Sequence, residues 1–85
     1  MLKNKSLLKD LRNVIEHVTA TIVMNESEEE FYRRSGEATT QEDAKAILLE
    51  IADDLAKNRL RLEIHMEKLR QTLLELESEN ETAKA

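Results

Sequence analysis

The chain has no cysteine, no proline, no tryptophan and a single glycine. The lack of cysteine removes disulfides, thiolate nucleophiles and thiolate metal sites together. Without proline nothing breaks a helix from within, and Gly36 alone has free access to left-handed backbone. The only aromatics are Phe31 and Tyr32. No apolar run approaches the roughly 20 residues that span a bilayer, so no membrane contact is expected. There is no glycine-rich phosphate loop, and Ser6, Ser27, Ser35 and Ser78 have no histidine at a suggestive spacing. A net charge of -5 disfavours nucleic acid, whose phosphates would repel it. No signal-peptide pattern is present, and a cytoplasmic location is the expectation.

What remains is small and strongly helical in pattern. At 85 residues the chain is one domain at most, of a size that struggles to bury enough apolar surface. Its 36% charged content matches long helices or bundles. Leu8, Leu11, Ile15, Val18 and Ile22 recur in steps of three and four and continue through Asn25 and Glu29 to Tyr32. That is a heptad seam which starts apolar and turns polar. Arg33 and Arg34 fit a last turn and Gly36 a left-handed end, so the first helix is expected from about residue 6 to 35. Residues 36–41 form the connection, with Thr39 or Thr40 as a cap and Glu42 or Asp43 completing a capping box.

A second helix is expected over about 41–77, with a seam of Ala44, Leu48, Ile51, Leu55, Asn58, Leu62, His65, Leu69 and Leu76, the last interval having Thr72 at its midpoint. The polar tail 78–85 is expected to fray. The fold class is therefore all-α, an antiparallel two-helix hairpin. Lys3, Lys5, Lys9 and Arg12 near one end would lie beside Glu75, Glu77, Glu79 and Glu81 near the other, favouring the antiparallel arrangement by a small margin. Leu49, Ala56, Leu60, Ile64, Val23 and Met24 fall off the seam and form a second apolar set. Left exposed they would mark an interface, so two hairpins are expected to pair as a homodimeric four-helix bundle. A partner helix from another protein is the other candidate to cover them.

The stretch 28–69 resembles the first hairpin of ferritin-like proteins of the rubrerythrin type. The resemblance rests on Phe31-Tyr32 late in helix one, a short polar connection, and Lys45-Ala46 leading into Leu49-Glu50-Ile51-Ala52-Asp53-Asp54. It implies a half-bundle whose two helices would supply a glutamate and a Glu-x-x-His pair to iron. In the family's register those three positions hold Asn25, Leu55 and Asn58, and leucine and neutral amides are poor ligands for iron. The resemblance thus implies the scaffold without its metal centre and without a cofactor.

Asn25 and Asn58 are then expected to face each other as an amide pair that fixes alignment. His65, on the expected seam, has Glu63 and Glu67 two residues away on other faces. A metal reading would need Glu29 and His65 across subunits, with iron as the cofactor. His17 is expected to face solvent. Glu26, Glu28, Glu29 and Glu30 are expected to be neutralised by Arg33 and Arg34 one turn away. The function this supports is a non-catalytic structural or protein-binding module; the alternative is an iron-binding or oxidoreductase protein.

Overall fold

The computed structural model describes residues 2–84, with side chains described for 6–80. It contains two helices, α1 (Leu2–Ala38) and α2 (Glu42–Lys84), packed as a hairpin 66 Å long and 15 by 13 Å across. Among the described residues there is no strand, and no helix is long and apolar enough to cross a membrane.

On α1 the seam follows the expected positions, with Leu8 and Ile22 buried and Leu11, Ile15, Val18, Glu29 and Tyr32 half-buried. The same steps of three and four then carry on to Gly36, which is buried, and Thr39. Gly36 therefore does not end the helix: it lies inside α1, and no described glycine has a positive φ. Its role is steric. A Cβ on Gly36 would stand 2.9 Å from Leu49 Cδ2 and 3.0 Å from Leu49 Cγ, so the missing side chain lets α2 approach closely beside the turn. Arg33 and Arg34 are correspondingly not in the last turn.

The connection is tighter than the sequence suggests and its caps are different residues. The Thr39 hydroxyl donates to the Ser35 carbonyl at 2.6 Å, occupying one of the free acceptors at the end of α1. The cap of α2 is Gln41, whose Oε1 accepts the Ala44 N–H at 2.6 Å while its carbonyl accepts the Lys45 N–H at 3.0 Å. Glu42 and Asp43 occupy the first turn of α2, where negative charge complements the helix dipole. Helix α2 also runs on through the tail expected to fray from Ser78, as far as Lys84. No glycine or proline follows Leu76, so nothing in the backbone stops it. Ala85 lies outside the described residues.

The larger correction concerns which side of α2 faces α1. Leu48, Leu55, Leu62, Leu69 and Leu76 hold the expected seam, but the residues between them are Ala52, Arg59, Met66 and Leu73, each one position later than expected. Ala52 is fully buried at 0% exposure, whereas Asn58, His65 and Thr72 are exposed. The rotation exchanges Ile51 for Ala52 and Asn58 for Arg59, and His65 and Thr72 for Met66 and Leu73, a net gain of two apolar seam positions. Met66 meets α1 at Thr19, whose hydroxyl lies 3.2 Å from the sulfur.

The close approach at Gly36 gives a double-mutant test by urea unfolding. In a Leu49→Ala background, Gly36→Ala should stabilise by about 1 kcal/mol through helix propensity. With native Leu49 the gain should shrink or reverse, because overpacking costs about 1–3 kcal/mol. Equal effects in the two backgrounds would contradict the steric reading.

Candidate functional site

Two features of the hairpin stand out chemically: a polar layer inside the seam and a low-charge stripe outside it. The polar layer begins with Asn25, the one buried polar side chain described, at 6% exposure. The residue that reaches it from α2 is Arg59, whose Nη1 donates to Asn25 Oδ1 at 3.3 Å. Asn58 is exposed, so the expected Asn25–Asn58 amide pair is replaced by an amide–guanidinium contact. The same Nη1 donates to Glu29 Oε1. Glu29 Oε2 accepts from Arg33 Nη2 at 2.7 Å and Nε at 3.2 Å, and Arg33 reaches on to Asp53 at 3.3 Å. Both oxygens of Glu29 are thus held by guanidinium groups, in charge-assisted geometry.

The electrostatics follow from those contacts. The Arg33 hydrogen bonds, then that of Arg59, lower the Glu29 pKa below the usual carboxylate range despite partial desolvation. Glu30 is paired with Arg34. The neutralisation of the acidic cluster by Arg33 and Arg34 is therefore present for Glu29 and Glu30. Arg12 lies 3.7 Å from Glu77, an ion pair between the basic and acidic ends; the side chains of Lys3, Lys5 and Glu81 lie outside the described residues.

Among the described residues no group of three or more His, Asp and Glu side chains could hold a metal ion. Within one chain Glu29 and His65 do not converge. Glu29 sits level with Arg59, whereas His65 neighbours Met66, which meets Thr19. Thr19 and Glu29 are ten residues apart, on the order of 15 Å along a helix. A surface cleft of about 260 Å³ lined by Glu26, Glu29, Glu30, Arg33, Arg34 and Glu37 consists of the same ion-paired side chains.

The expected interface group is dispersed rather than gathered. Consecutive residues stand about 100° apart around a helix, so Val23 and Met24 point to different flanks. Val23 and Leu60 lie on the flank that carries the Arg33–Asp53 and Arg12–Glu77 ion pairs, here the Leu60 flank. Ile64 faces outward at the back of α2, and Leu49 is half-buried against Gly36. Met24 belongs to the opposite flank, here the Met24 flank, together with Leu7, Val14, Phe31 and Ile47. Those five account for most of the nine large apolar side chains left exposed among the described residues.

The two flanks differ most on α1. The Met24 flank follows steps of three and four from Leu7 to Ala38 and includes only two carboxylates, Asp10 and Glu28, with His17 the one imidazole. On the Leu60 flank the matching stripe is charged at every step except Thr19 and Val23. The sequence signal for this contrast was available, but only once the seam was correctly placed.

A shallow pocket of about 160 Å³ opens on the Met24 flank, lined by Thr21, Met24, Asn25, Glu28, Leu55 and Asn58. Asn25, Leu55 and Asn58, the three positions that the resemblance matched to iron ligands, therefore converge on one site. What they present there is two amides and a leucine.

Glu29 yields a pH prediction with a definite sign. A carboxylate whose folded pKa is depressed contributes stability that is present above the unfolded value and lost as pH falls through the folded one. Between about pH 5 and pH 3, native protein should lose more stability than Glu29→Gln, as measured by urea midpoints. Parallel pH profiles for the two proteins would contradict the assignment.

No protein-family model matches the chain, and neither a curated protein nor a solved structure matches it.

Proposed function

We propose that the chain is a non-catalytic structural module that self-associates through its Met24 flank into a four-helix bundle, as a ferritin-like half-bundle without iron ligands. The observation that carries this is the mismatch between what the hairpin hides and what it leaves out. Among the described residues Leu8, Ile22 and Ala52 are the only buried apolar side chains, no large side chain is fully buried, and nine large apolar side chains are exposed. A chain of this size needs more burial than that to fold stably on its own, and a second hairpin supplies it. Convergence of Asn25, Leu55 and Asn58 on the Met24 flank supports the same face as the inward one, because those are the positions that face the bundle interior in the resembling family.

Sedimentation equilibrium at micromolar concentration tests the reading. Native chain should sediment as a dimer or higher assembly. Phe31→Glu and Met24→Glu should weaken association by at least tenfold, whereas Leu60→Glu on the other flank should change it little. A stably folded native monomer would overturn the proposal. Equal sensitivity at Leu60 would move the interface to the other flank.

A further inference from the structure

The self-association proposed above leaves open how two hairpins meet, and the distribution of charge along α1 favours one arrangement. We infer that the partner of the Met24 flank is a second copy running antiparallel, with α1 packed on the partner's α1 about a two-fold axis that crosses the helix between Thr21 and Met24. The inference rests on the reading that the flank binds a second copy at all.

The low-charge stripe belongs to α1. Along α2 the same flank carries Asp54, Arg61, Lys68 and Glu75. Burial therefore favours stripe on stripe, α1 against α1, because uncharged positions can be desolvated at small cost and charged ones cannot. In a bundle of two face-to-face hairpins, α1 meets α1 only when the two-fold axis runs perpendicular to the long axis, which makes the hairpins antiparallel.

The level of that axis follows from the side chains. Between Thr21 and Met24 it sets Val14 against the partner's Phe31, Thr21 against the partner's Met24, and Leu7 against the partner's Ala38. The same register places the His17 imidazole opposite the Glu28 carboxylate of the partner, so that carboxylate meets a hydrogen-bonding group and not another acid.

Helix α2 is compatible with that axis. Thr19 touches Met66 and Asn25 touches Arg59, so the level of Thr21 and Met24 on α1 is that of Arg61 and His65 on α2. There the axis sets Asp54 opposite the partner's Thr72, Arg61 opposite the partner's His65, Lys68 opposite the partner's Asn58 and Glu75 opposite the partner's Ile51, so none of these four charges meets another of them. The parallel alternative would instead lay the low-charge α1 stripe on the partner's α2, whose flank carries Asp54, Arg61, Lys68 and Glu75. Desolvating those charged groups against the uncharged positions of α1 disfavours it. A face 66 Å by 15 Å offers on the order of 900 Å² per subunit, the size of a standard stable interface.

The absence of cysteine makes the test direct. Thr40→Cys in the connection, carrying a nitroxide label, reports the separation of the two turns by electron-spin dipolar spectroscopy. The antiparallel pair predicts turns at opposite ends, on the order of 50 Å apart at about 1.5 Å per residue. A distance on the order of 20 Å, the width of a bundle with helices about 10 Å apart, would overturn the geometry while leaving self-association intact. A labelled chain that sediments as a monomer would overturn both. The register has its own check: a mixture of Val14→Cys and Phe31→Cys chains should form mixed disulfides, and Val14→Cys alone should not. Equal cross-linking of Val14→Cys with itself would overturn the stated register.

Discussion

Two helices have one seam between them, and in this chain that seam is too narrow to bury the apolar surface the sequence provides. Everything else in the structure follows from how that limit is met. Part of the seam is apolar, at Leu8, Ile22 and Ala52. Its middle is given over to Asn25, Glu29 and Arg59, groups that contribute alignment more than burial. The surplus apolar side chains stand on the outer flanks, most of them on one, and the proposed dimer is the means of covering that one.

The polar layer has a definite physical logic. A carboxylate placed in a seam is costly unless its oxygens are satisfied. Glu29 has one oxygen on Arg33 of its own helix and the other on Arg59 of the opposite helix. Sliding α2 by one turn would separate Arg59 from both Glu29 and Asn25, leaving a half-buried carboxylate and an amide with poorer partners. The layer therefore penalises other registers more strongly than the apolar positions do, since one leucine packs against the next much as it does against its neighbour. Gly36 acts at the other end of the hairpin in a similar way, because only there can Leu49 lie against the α1 backbone.

The hairpin and the α1 seam were legible in the sequence because the steps from Leu8 to Tyr32 are unbroken. The end of α1 was not, because Gly36 reads as a stop although it also falls on the next seam position, where its lack of a side chain is what matters. Helix α2 contains two interleaved series that share Leu48, Leu55, Leu62, Leu69 and Leu76. The choice between His65 and Met66, and between Thr72 and Leu73, pointed to the later series, and Glu29 on the facing seam called for a cation that Arg59 provides. Missing that rotation by one residue also placed Asn58 and His65 inside and obscured the contrast between the flanks. The caps differ from the expected ones for a simpler reason: Thr39 closes the end of α1, and the side chain of Gln41 starts α2.

In the proposed assembly the hairpin completes its folding by covering the Met24 flank with another copy. A folded state stabilised by association melts at a temperature that depends on chain concentration. Thermal unfolding followed by helical circular dichroism over a hundredfold range of concentration tests it most directly. Folding coupled to self-association predicts a Tm that rises steadily with concentration. A cooperative transition at the same temperature across the whole range would contradict it.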